Sequence, residues 1–157
     1  MLRRSRRPLL LAILAMAAVG CGRKPSDPVR ELIDEIAAAA EDRDPDRVAA
    51  RLSEAFRGQE TIPRADMAAS LRRYFAAYES IDVEVFDLEV TPGDGMARVR
   101  TRVGFTGQAN RAFGLGGLLP PSAVYRFDVE ARDEGGVWRV TRASWEQAAA
   151  PGASGGS

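Results

Sequence analysis

Three kinds of hydrophobic pattern follow one another along this chain. Leu9 to Val19 is an unbroken apolar run behind Arg3, Arg4, Arg6 and Arg7. It is shorter than the about 20 residues that cross a bilayer as a helix, and a basic start followed by a short apolar run has the form of an export signal over residues 1–20. From Asp27 the apolar positions recur at helical spacing. Val29, Leu32, Ile33, Ile36, Ala37 and Ala40 share one face, Asp27 can cap it and Pro28 fits the first turn, which predicts a helix to Asp42. Asp44-Pro45 repeats the start signal for a second helix, expected to reach Arg57 with Val48, Leu52, Ala55 and Phe56 inward and Gly58 as its stop. Arg64 to Glu79 predicts a third, burying Met67, Leu71, Tyr74, Phe75 and Tyr78; a short strand fits within Gln59–Pro63.

Beyond Glu79 the period falls to two. Ile81, Val83 and Val85 alternate on one face, but Phe86, Leu88 and Val90 continue on the opposite parity, so one extra residue near Val85-Phe86 is expected as a β-bulge. Pro92-Gly93-Asp94-Gly95 turns into a strand with Ala97, Val99, Thr101, Val103 and Phe105 on one face and Arg98, Arg100 and Arg102 on the other. Opposing Thr91 with Met96 sets Glu89 against Arg98, Asp87 against Arg100 and, past the bulge, Glu84 against Arg102. Val124 to Arg132 turns Tyr125, Phe127, Val129 and Ala131 inward, and Val137 to Trp145 returns, with Val129 expected beside Val140 and Glu130 beside Arg139. Gln108 to Ser122, rich in Gly and Pro, reads as a long connection.

Composition and charge change the picture at the N-terminus first. Ala18-Val19-Gly20-Cys21 resembles the lipobox cut by signal peptidase II, with Ala18 where Leu is commoner: Gly20 lets the backbone enter the peptidase, and Cys21 offers a thiol for acylation. Cys21 is the single cysteine, so no internal disulfide can form, and acylation removes a free thiol from an oxidising compartment. The expected mature protein therefore starts at Cys21, tethered to a membrane through residues 21–26, with one domain over 27–146 and a tail without order over 147–157. Ser5-Arg6-Arg7-Pro8-Leu9-Leu10 resembles a twin-arginine signal, but no cofactor motif calls for folding before export, which favours the general secretory route. Gly22 in place of Asp implies, by resemblance to the sorting rule of enteric bacteria, the outer membrane, facing the periplasm. Removing the four signal arginines from 22 basic residues leaves 18 against 22 acidic, formally −4, which argues against nucleic acid as a partner.

Helices followed by a bulged antiparallel sheet that curves over them make an α+β cone, and here the chain resembles the nuclear transport factor 2-like superfamily, also called cystatin-like. The likeness rests on the first helix running into Asp44-Pro45-Asp46-Arg47-Val48, on Leu71-Arg72-Arg73-Tyr74-Phe75, and on Gly136-Val137-Trp138-Arg139-Val140-Thr141 closing at Trp145. It spans about residues 27–146 and is nearest to uncharacterised bacterial lipoproteins of that fold. The resemblance implies helices in the concave face of the sheet. It also implies that an enzyme of this kind would hold an acid, a base or a His–Asp pair inside the cone.

The chemistry available for such a site is sparse. The chain has no histidine, the commonest general base and metal ligand, and its one cysteine is committed to the anchor. Glu84, Asp87, Glu89, Asp128 and Glu130 fall on outward parity, and Gly114 to Gly117 lacks the lysine and helix of a phosphate loop. Tyr74, Tyr78, Tyr125 and Trp138 fall on inward faces, and Arg142 shares the parity of Trp138 and Val140. They suggest a pocket for an apolar ligand carrying an acid group, against the plainer reading of aromatic core with Arg142 escaping to solvent. The outward arginine ladder reads as an ion-paired, solvated face. The expected protein is a non-catalytic envelope lipoprotein that binds a small apolar or amphipathic ligand, or a partner protein, through the cone, with no cofactor. The rivals are an isomerase- or cyclase-type enzyme using a tyrosine and a carboxylate, and a module that dimerises through its sheet.

Overall fold

The computed structural model describes residues 27–110 and 122–149. The export segment, the lipobox with Cys21, the tether, most of the Gln108–Ser122 connection and the last eight residues lie outside them.

The first helix, α1 (Pro28–Glu41), starts where the sequence implies: the Asp27 carboxylate accepts from the N–H of Val29 at 3.0 Å and of Arg30 at 3.4 Å. α2 (Pro45–Ala50) starts the same way, with Asp44 accepting from Arg47 N–H at 2.9 Å. It does not continue to Arg57. At Leu52 the chain becomes a strand, β1 (Leu52–Gly58), paired in parallel with the last strand of the chain. Leu52 and Phe56, both buried, stand four apart, a spacing that satisfies a helical and an extended face alike. The choice is made by a partner more than 80 residues away (Leu52 opposite Val140), which no local pattern contains.

A short β2 (Ile62–Pro63) and α3 (Arg64–Ala76) follow; Arg64 Nε donates to the Ala49 carbonyl at 3.0 Å and ties the start of α3 to the end of α2. α3 stops short of Glu79, and Tyr78 opens β3 (Tyr78–Pro92). The sheet is completed by β4 (Met96–Ala109), β5 (Ser122–Asp133) and β6 (Trp138–Gln147) in the order β2-β1-β6-β5-β4-β3. It is mixed, not wholly antiparallel, because β1 and β6 run in parallel. Gln147 belongs to β6 and Ala148 N–H donates to Val124 O at 2.8 Å, so the expected tail begins in the sheet.

Both hairpins pair in a register other than the expected one. Glu89 opposes Arg100, not Arg98, a shift of two residues that leaves each side chain on its own face and is invisible to an alternation argument. In the second hairpin Val129 opposes Ala143, not Val140, and Glu130 opposes Arg142, not Arg139, a shift of three that reverses the faces of β6 beyond its bulge. The bulge in β3 falls between Phe86 and Glu89, with Asp87 at φ 46°. Phe86 consequently stays on the outer face, where its ring covers Gly104, while Leu88 and Val90 pack inward. The arginine ladder is ion-paired with other partners than expected: Arg102 with Asp87, and Arg98 and Arg100 with Asp128 at 3.8 and 3.5 Å.

Two buried clusters hold the helices in the concave face. Val29, Leu32 and Ile33 of α1 meet Leu52, Phe56, Val99, Val129 and Val140 of the sheet. Ala39, Ala40 and Val48 meet Phe75, Tyr78 and Ile81. The space between the clusters is where the molecule is not filled.

Candidate functional site

Ile36 of α1, packed against both clusters, and Ala37 face the space between them, as do Met67, Ser70, Leu71 and Tyr74 of α3, which recur at the three- and four-residue steps of one helix face. Opposite them the strands present Val83, Val85, Val103, Phe105, Tyr125, Phe127, Ala143 and Trp145. Several of these residues are small, and the two helices rest on the sheet at either side, so the facing side chains do not meet. The result is a cavity of about 430 Å³, within the about 300–1,000 Å³ of small-molecule sites. Tyr74, 41% exposed, and the exposed Ser70 mark where it reaches solvent.

The lining is almost wholly hydrocarbon. Among the described residues no Asp, Glu, Lys or Arg lines the cavity, and no cluster of His, Cys, Asp or Glu could hold a metal ion. Its polar side chains are Ser70, Tyr74, Thr101 and Tyr125. Thr101 is already engaged, its hydroxyl donating to the Phe86 carbonyl at 2.7 Å across the bulge. Tyr74 packs on Tyr78 with ring centroids 5.0 Å apart, and Tyr125 packs edge-on against Phe105 at 6.1 Å. Burial, a hydrogen bond with Tyr78, and the nearness of the Tyr78 and Tyr125 hydroxyls hold the Tyr74 phenol well above its ordinary pKa. Tyr74 is therefore neutral throughout the physiological range.

The structure sorts the five residues that the sequence singles out. Tyr74 and Tyr125 line the cavity. Tyr78 is buried beside it, in a narrow cleft with Tyr74, Phe105 and Gly107, and its backbone carbonyl accepts from Arg43 Nη1 at 2.7 Å. Trp138 faces inward but lies at the start of β6 against the first cluster, away from the cavity. Arg142 is not inward. The β5–β6 register shifts between Glu130 and Ala131, which makes Thr141 an extra residue and turns Arg142 to the outer face opposite Glu130, exposed. Ala143 and Trp145 take the inward parity in its place. Trp145, absent from the expected site, was recoverable from the sequence only by placing that second bulge.

No family model matches this chain, and no curated protein does. Solved structures do match. An NTF2-like protein from Cytophaga hutchinsonii superposes with a TM-score of 0.64 at 12% identity, over 78% of this chain and 97% of that one. This chain has the nuclear transport factor 2-like fold. A hexachlorocyclohexane dehydrochlorinase (LinA) of type 2 shares the fold with a TM-score of 0.61 at 12% identity, over 80% of this chain and 93% of that one. Bd1075 of Bdellovibrio bacteriovorus shares it with a TM-score of 0.63 at 12% identity, over 76% of this chain; this chain spans only 40% of that longer one. At such identities the likeness is one of architecture. The nuclear transport factor 2-like fold houses enzymes and proteins of unknown function alike.

Proposed function

We propose that this protein is a non-catalytic lipoprotein of the cell envelope, held at a membrane by lipid on Cys21, that takes a small apolar or amphipathic ligand into the cone. The supporting observation is the cavity of about 430 Å³ with hydrocarbon walls and, among the described residues, no carboxylate in its lining. The cavity opens to solvent beside Tyr74, so an apolar occupant would displace water from hydrocarbon walls, which is favourable. The enzyme reading requires a base beside the tyrosines, and no acidic residue lines the cavity to serve as one. A partner protein inserting an apolar side chain is the other occupant consistent with the same walls.

The address and the occupant are tested separately. Cys21→Ser should abolish radiolabelled palmitate incorporation and release the exported protein from the membrane fraction; continued labelling would refute the anchor. The full chain carrying Cys21→Ser, purified without detergent, should bind the neutral probe N-phenyl-1-naphthylamine with a rise in its fluorescence. Ala143→Trp, which places a large ring in the cavity, should suppress that rise. A fluorescence rise that Ala143→Trp leaves intact would remove the cavity from the account.

A further inference from the structure

We infer that the cavity selects an uncharged ligand, an apolar skeleton ending in one hydroxyl or carbonyl that meets the tyrosines at its open end, over the carboxylate of the same skeleton. The inference rests on the cavity being a binding site and specifies what enters it. It begins with the place of Arg142. Inward, that guanidinium would have made the cone an acid-binding pocket; the Thr141 bulge turns it outward and leaves hydrocarbon in its place. Of the other arginines near the cone, Arg43 is spent on the Tyr78 carbonyl and Arg73 donates to Ser70 Oγ at 3.2 Å from an exposed position. Neither lines the cavity. A carboxylate seated against the tyrosines would shed part of its hydration, and among the described residues no cation lines the cavity to replace it; a poorly solvated, unpaired charge is costlier than an unpaired neutral group.

Of the polar side chains that line the cavity, Thr101 already bonds the Phe86 carbonyl and Ser70 accepts from Arg73, which leaves the tyrosines. Tyr74 and Tyr125 share its wall, and Tyr78 packs on Tyr74 with ring centroids 5.0 Å apart. The deep wall formed by Ile33, Leu52, Val129 and Val140 offers only hydrocarbon. A ligand with one neutral polar atom can therefore bury its skeleton inward and exchange hydrogen bonds with Tyr74 or Tyr125 at the end that meets solvent. A ligand with polar groups at both ends would leave one unpaired against the deep wall.

The test is competition against N-phenyl-1-naphthylamine on the full chain carrying Cys21→Ser at pH 8, where octanoate is ionised and Tyr74 is neutral. Octanol should displace the probe at a concentration at least ten-fold below octanoate, and Tyr74→Phe with Tyr125→Phe should weaken octanol about three- to ten-fold while leaving the probe itself bound. Octanoate competing as well as octanol overturns the inference, with Arg73→Ala then reporting whether the rim arginine holds the acid. Octanol affinity unchanged in the double variant overturns the tyrosine anchor. Failure of the probe to bind at all would strike the binding reading beneath, and is thereby distinguishable from both.

Discussion

Tyr74 carries two properties that no other residue of the site combines: it lines the cavity, and its phenol is held protonated by burial and by Tyr78. Its folded pKa lies above the unfolded value of about 10, so folded and unfolded chains hold the same proton below that pH. Above it the unfolded chain gives the proton up first. Stability from this group is thus complete below pH about 10 and declines as pH rises beyond it. Tyr74→Phe should flatten the alkaline limb of a plot of melting temperature against pH between about 9 and 11 and leave the neutral region unaltered in slope; an identical alkaline limb in both proteins would contradict the assignment. The tyrosine's inward position was legible from helical spacing alone. Arg142's was not, because one extra residue at Thr141 inverts the parity of everything after it in β6.

At the scale of elements, local signals succeeded where the chemistry they describe is local. Asp27-Pro28 and Asp44-Pro45 cap their helices through hydrogen bonds spanning two or three residues, so the sequence contains the whole interaction. Asp27→Ala should cost about 0.5–2 kcal/mol, read as a lower urea midpoint with an unchanged slope, and Asp27→Asn should restore most of it. A midpoint unmoved by Asp27→Ala would mean that packing of Val29, Leu32 and Ile33 alone holds the first turn. β1 shows the opposite case. Its residues read as a continuation of α2, and only the parallel ladder to β6 makes them extended. The register offsets next to the turns belong here too: turn geometry sets them, Gly93 N–H closing on the Met96 carbonyl at 2.7 Å and Asp133 Oδ1 accepting from Gly136 N–H at 2.7 Å, while beyond the bulge at Thr141 the faces of β6 reverse.

For the whole molecule the telling feature is a volume left between two packed clusters. If that volume is a binding site, a neutral ligand at a hundred times its dissociation constant should stabilise the fold by about 2.7 kcal/mol. N-phenyl-1-naphthylamine should therefore raise the melting temperature in a concentration-dependent way, and Ala143→Trp should raise it without ligand and abolish the further shift. A ligand-independent melting temperature in the parent protein would leave the cavity structural. What the sequence by itself determined are properties written in neighbouring residues: the helix starts, the inward and outward faces of the strands between their bulges, the absence of histidine, the single cysteine and the α+β order of elements. The tertiary structure alone decided that β1 is a strand, that the sheet is mixed, where the bulges invert parity, and hence that Trp145 enters the cone while Arg142 leaves it. The physical reason is separation along the chain. A cap or an alternating face is closed within a few residues, whereas a ladder partner, a register and an unfilled space depend on segments that meet only when the whole sheet has curved around its helices.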